Sequence, residues 1–314
     1  TNDRRADEGD GPHEQLILRG ATIIDGTGAP PRGPVDIVIE GDRITSIRSV
    51  GFPGVPLRER PTPPGAEVID VSGMYVLPGL VDMHVHTGGS GKAPQAEYVH
   101  KLWMGNGVTT TRGVPHGGFE WSLENKARAA RNEIVAPRMF VYQRPGRGRG
   151  WGGRAIDSPE VAREWVQWAA AQEVEGQKID GLKLGAYDPE IMEALIDEAH
   201  KHGLGTVAHL DQMGVGRMTA LDASRVGLDM MTHYYGLFES LLKDYSIQDW
   251  PLDYNYNNEQ HRFGQVGRLW EQSAEPGSDE WNALIDRFLD CLLYTSDAAD
   301  ERVRVYMSVV AVRI

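Results

Sequence analysis

From Gly79 to His233 short apolar stretches alternate with amphipathic ones, and that rhythm limits the fold more than any other feature of the chain. Six stretches read as strands: Gly79 to His84, Val108 to Arg112, Arg138 to Tyr142, Gly181 to Leu184, Leu204 to His209 and Leu228 to His233. Between them Glu97 to Asn106, Leu123 to Asn132, Pro159 to Glu175, Pro189 to His202 and Met218 to Val226 read as helices. Asp157 or Ser158 supplies a cap for the third helix, while Asp188-Pro189 opens the fourth and Gly203 closes it. Repeated strand–helix units build a parallel sheet or barrel, because each helix must return the chain to the same end of the sheet.

The N-terminal part has a different rhythm. Residues 1–14 are polar and read as a loose arm. Leu16 to Asp25, Val35 to Glu40, Arg43 to Ile47, Glu67 to Val71 and Met74 to Pro78 read as strands, and the Pro-rich stretch Pro53 to Pro64 as a loop. Residues 15–78 therefore form a small all-β unit. With 45 acidic against 32 basic residues the net charge is −13, which argues against nucleic acid or an anionic membrane surface as main partner. No apolar run approaches the ~20 residues a membrane-spanning helix needs. The single cysteine, Cys291, excludes an intrachain disulfide and a cysteine-rich metal site. Thr1 is not a start methionine, so a leader is expected to have been removed or left uncaptured, and the compartment stays open between bacterial cytoplasm and periplasm.

Chemistry concentrates at the strand ends. His84-Val85-His86 closes the first strand of the alternating region, and side chains two apart on a strand share a side, so both imidazoles can bind one ion. Alone, the pair reads more readily as two histidines in a loop than as a metal site. Lys183 stands between Leu182 and Leu184 in a strand, where burial disfavours an ammonium. It either reaches solvent or a carboxylate, or reacts with carbon dioxide to give a carbamate. His209 and His233 end the fifth and sixth strands. Four histidines and one lysine at four strand ends suit Zn, Mn, Ni or Fe(II), with zinc the default.

With those residues in view a resemblance is plain. Leu77-Pro78-Gly79-Leu80-Val81-Asp82-Met83-His84-Val85-His86 resembles the signature of the metal-dependent amidohydrolase superfamily, and Gly20 to Gly26 with the Gly41-Asp42-Arg43-Ile44 turn is similar to its N-terminal β-domain. The segment Gly181 to His209 most resembles the imidazolonepropionase-like and prolidase-like branch. The resemblance implies an α/β fold, a (β/α)8 TIM-barrel type with a small N-terminal β-sandwich. It implies one or two divalent metal ions, zinc first, held by His84, His86, Lys183, His209 and His233, with Lys183 carrying a carbon dioxide-derived carbamate. It implies hydrolysis of an amide, cyclic amide or dipeptide, and a homo-oligomer is compatible with it. Alternatives sharing this ligand set are a lactonase- or phosphotriesterase-like hydrolase, a non-catalytic scaffold and a metal-storing module. Tyr142, Arg144 and Tyr234 are candidates for binding substrate. The Gly/Arg loop Gly146 to Arg154 is either an anion site or a mobile loop, His116 reads as a loop residue, and the aromatic-rich stretch 238–281 reads as a lid or an interface.

One departure from the resemblance matters. Only six strands precede Asp290, so 79–290 is expected to be an incomplete barrel, without the aspartate that this superfamily carries on its eighth strand. Residues 291–314, beginning Cys291-Leu292-Leu293-Tyr294-Thr295-Ser296, resemble a translated sequencing adapter. The chain as written is then expected to be an inactive, poorly folded fragment. Long-read sequencing of the source DNA beyond codon 290 is expected to extend the frame through further βα units to an Asp at a strand end; a genuine stop after Ile314 would overturn that expectation.

Overall fold

The computed structural model describes residues 1–9, 11–87, 95–211, 214–233, 235–237, 239–241, 252–255, 258, 260–261, 264, 275–279, 281–283, 285–286 and 309–312. The expected helix over 282–290 and the stretch 238–281 fall largely outside them.

The N-terminal strands are β1 (Gln15–Ile23), β2 (Arg32–Glu40), β3 (Arg43–Ser49), β4 (Glu67–Asp70) and β5 (Tyr75–Pro78). β1 is the organiser: it pairs antiparallel with β2 on one side and, on the other, parallel with β4 through its first half and with β5 through its second. Its alternating apolar residues meet those of its neighbours, so Leu18, Ala21, Ile23, Val35, Ile37, Val71 and Val76 form one buried cluster. A four-residue strand, Val309–Val312 (β12), adds antiparallel to β5, from the segment the sequence sets aside as adapter-like.

The alternating region folds as the rhythm requires. Strands β6 (Leu80–Val85), β7 (Val108–Gly113), β8 (Arg138–Gln143), β9 (Gly181–Leu184), β10 (Gly205–Ala208) and β11 (Met230–Met231) form one parallel sheet in sequence order. The helices α1 (Ala96–Gly105), α2 (Phe119–Ala130), α3 (Pro159–Ala171), α4 (Pro189–Lys201) and α5 (Ala220–Arg225) make the crossovers. The sheet curls: the rings of His84 on β6 and His233 just after β11 lie 4.8 Å apart, although these strands stand at opposite ends of the sheet order. It is a mixed α/β architecture with a half-barrel of six parallel strands.

Local physics sets the boundaries. Ser158 caps α3 by accepting from the Val161 N–H, with Pro159 as its first residue. The helix stops at Ala171 rather than Glu175 because Gln172 turns extended and Val174 pairs with Gln177. Thr219 and Asp222 form a reciprocal capping box on α5. α2 begins at Phe119, four residues ahead of the expected Leu123, because Phe119 itself is a buried contact packed on Trp168. The first residues are fastened rather than loose: the Arg4 N–H donates to the Glu133 carbonyl at 2.7 Å, Arg128 pairs with Asp3 and Lys101 with Glu8.

One continuous core lies between the sheet and α2, α3, α4 and α5, with Trp165 at its centre and fully buried. The Trp165 indole N–H reaches the Arg147 carbonyl at 3.0 Å, so this residue ties the core to the loop after β8. Replacing Trp165 with Ala is expected to cost about 3–5 kcal/mol in denaturant unfolding, since both the packing and this anchor are lost; a loss below about 1 kcal/mol would show that the core does not depend on it.

Candidate functional site

The parallel register delivers the chemistry to one place. Lys183 pairs with Val207, which pairs with Met230. The ladder continues past the strand ends, where the His209 N–H donates to the Leu184 carbonyl at 3.0 Å and the Thr232 N–H to the Ala208 carbonyl at 2.8 Å. His209 and His233 therefore emerge side by side, with ring centroids 4.8 Å apart. Curling of the sheet adds β6: the His84 ring lies 4.8 Å from His233 and 5.4 Å from His86. His233 holds a left-handed backbone conformation, φ 64°, which ends β11 abruptly and turns the chain into the site.

Lys183 lies on the most enclosed strand and is 4% exposed. Its Nζ donates to the Thr232 hydroxyl at 2.8 Å, and that hydroxyl donates onward to the Ala208 carbonyl at 3.0 Å. Burial, followed by the charges of Arg144 and Arg112, lowers the Lys183 pKa to about 7. Burial and then the charge of Lys183 lower His84 to about 4, so its imidazole is neutral at ordinary pH. Arg112 is a buried cation that sequence reading missed. It donates to the Met83 carbonyl at 2.8 Å, touches the Met230 sulfur and lies over the Tyr142 ring. Its only sequence signal is a charge closing the threonine-rich strand Val108 to Arg112.

The remaining candidates are placed as follows. Tyr142 packs against Gly181 and Gly205, at the N-terminal ends of β9 and β10, where a Cβ would meet its ring or hydroxyl at 2.3–2.4 Å. Arg144 is exposed just after β8, and its charge reaches both Lys183 and Tyr187. Tyr234 lies outside the described residues, while Tyr235 is buried with its ring 5.0 Å from His209. The Gly/Arg loop is bound down: the Arg149 N–H reaches Glu120, Arg154 pairs with Glu164, and Trp168 covers Gly148, which holds φ 112°.

His116 does sit in a loop, but it is 1% exposed, and sequence gave no sign of that burial. His100 on α1 is fully buried beside it, and neither of its ring nitrogens has a hydrogen-bond partner among the described residues. Trp103 packs against both histidines. Burial lowers His100 to about 4 and His116 to about 3, so the fold holds both neutral.

As arranged, the imidazoles pack edge against face, and among the described residues no three His, Cys, Asp or Glu side chains converge for an ion. The donor chemistry nevertheless fits a divalent cation. Four imidazoles, of which burial keeps that of His84 neutral, are grouped with ring spacings of 4.8–5.4 Å beside a lysine whose ammonium is already disfavoured. Among the described residues, no helix is long and apolar enough to cross a membrane.

No protein-family model matches the chain. It is 29% identical over 188 residues to the enamidase of Eubacterium barkeri, covering 54% of this chain and 45% of that one. It is 47% identical over 98 residues to the imidazolonepropionase of Rubrobacter xylanophilus, covering 29% and 23%. These matches span less than half the length of each curated relative. A solved structure of a presumptive prolidase from Bifidobacterium longum is similar with TM-score 0.51 and 25% identity, covering 69% of this chain and 54% of that one.

The two buried histidines set a pH dependence. Below about pH 6.5 the unfolded chain binds protons that the folded chain refuses until about pH 4 and 3. Stability is therefore complete above about pH 6.5 and falls as the pH drops from there. Denaturant melts across that window are expected to show the decline, and His100→Leu to flatten it; an unchanged slope in the variant would contradict the assignment.

Proposed function

The chain belongs to the amidohydrolase superfamily, and from that premise we propose that it is a metal-dependent hydrolase of C–N bonds in a small amide, cyclic amide or dipeptide, in the imidazolonepropionase- and prolidase-like branch. The observation that carries the reading is the gathering of His84, His86, His209 and His233 beside buried Lys183. We assign those five residues as the ligands of one or two divalent ions. The barrel and sandwich architecture of the superfamily is the proposed frame.

A bound zinc or similar ion supplies Lewis acidity toward an amide carbonyl and makes water nucleophilic at neutral pH. The chain's own residues prepare for it. Burial keeps His84 unprotonated, so its lone pair is available. Lys183, with its pKa lowered to about 7, offers a free amine that can add to carbon dioxide. The amine nitrogen forms an N–C bond as one C=O π bond of carbon dioxide opens onto oxygen, one proton leaves the nitrogen for solvent, and the neutral amine becomes an anionic oxygen donor. Thr232 accepts from Lys183 while its own proton is committed to Ala208, which holds the amine in place. Arg144, exposed at the end of β8, and Tyr234 are the proposed substrate contacts, whereas Tyr142 packs on Gly181 and Gly205 at the opposite strand ends and is not among them.

The test is metal stoichiometry on the full chain after chelation. Zinc or manganese titration is expected to reach one or two ions per chain, with carbon-13 bicarbonate giving a carbamate signal from the wild type and none from Lys183→Ala. His84→Ala is expected to weaken zinc binding by at least about 10-fold. A chain that binds no divalent ion, or whose affinity is untouched by His84→Ala, would sink the assignment. Hydrolysis of N-acyl amino acids, dipeptides and cyclic amides is then compared with lactone and phosphotriester hydrolysis to locate the substrate class.

A further inference from the structure

His86 is exposed, so packing alone does not orient its ring. Its Nδ1 lies 3.0 Å from the Pro115 carbonyl. A carbonyl has lone pairs only, so Nδ1 must carry the proton and Nε2 is left as the free lone pair. The ring's tautomer is therefore set by where Pro115 stands.

Pro115 stands where it does because of a buried clamp between the ends of β6 and β7. The Val114 N–H donates to the Val85 carbonyl at 3.0 Å, and the Thr87 N–H to the His116 carbonyl at 3.0 Å. The Thr87 hydroxyl and His116 Nδ1 are 2.6 Å apart, with Thr87 fully buried and His116 1% exposed. The His116 ring also lies directly on Gly113, where a Cβ would come within 2.1 Å of it. The ring also interacts with the backbone of Thr111 and Phe140, so it is steadied from β7 and β8, while its bond to Thr87 is the one that reaches the end of β6.

We propose that His116, through its bond to Thr87, is a positioning residue for His86: the clamp holds the Pro115 carbonyl against Nδ1 and so presents His86 with Nε2 free to bind a cation. This rests on the reading of His86 as a metal ligand.

The experiment reads both separately. Nitrogen-15 imidazole spectra of the metal-free full chain are expected to show His86 as a single Nδ1–H tautomer. Thr87→Val, close in shape but without the hydroxyl, and His116→Phe are expected to give mixed tautomers for His86 and to weaken zinc binding about 10–100-fold. Thr87→Ser, which keeps the hydroxyl, is expected to keep both. Should His116→Phe fail to fold, the Thr87→Val and Thr87→Ser pair decides. A Thr87→Val protein with a wild-type melting curve, a locked His86 tautomer and unchanged zinc affinity overturns the proposal. A tautomer locked in the wild type and lost in Thr87→Val, with zinc bound by neither, supports the clamp and defeats the metal reading.

Discussion

A lysine amine cannot be enclosed among apolar strands as a free cation without a large desolvation cost, and the arrangement around Lys183 follows from that. Its strand is buried along its whole length. The polar group within reach is the Thr232 hydroxyl, which is there because the β10 ladder carries one residue beyond β11. The same extension sets His209 and His233 next to each other. The lowered Lys183 pKa, the paired histidines and the abrupt end of β11 are three expressions of one register.

Two further cations, Arg112 and Arg144, bear on the same amine. Arg112 is held by a carbonyl, a thioether and an aromatic face rather than by a carboxylate in the contacts described. It links β6, β7, β8 and β11 from inside the curl. Burial first, and then the Arg112 charge among others, push Lys183 and His84 toward their neutral forms, the protonation states that offer a lone pair to a cation.

The fold was legible where periodicity is strong. Each strand from Leu80 to Met231 coincides with an apolar run except β7, whose signal is the β-branched Val108-Thr109-Thr110-Thr111, and α4 coincides with an amphipathic run opened by Pro189. Boundaries moved where tertiary contacts outweighed local pattern: Phe119 drew α2 forward, and the turn at His233 cut the sixth strand to two residues. Strand-end histidines could be read as a group because a parallel sheet must gather them. Arg112, Thr232 and the His116–Thr87 clamp could not, since each acts through a partner distant in sequence.

Gly113 is fixed by more than its partner's ring. A Cβ there would come within 2.1 Å of the His116 imidazole and 2.5 Å of the His116 backbone nitrogen. Shrinking residue 116 would clear the ring and leave the backbone in the way. Any side chain at the end of β7 therefore demands a different path for the chain from 113 to 116, and the exit of β7 is closed to stepwise side-chain exchange.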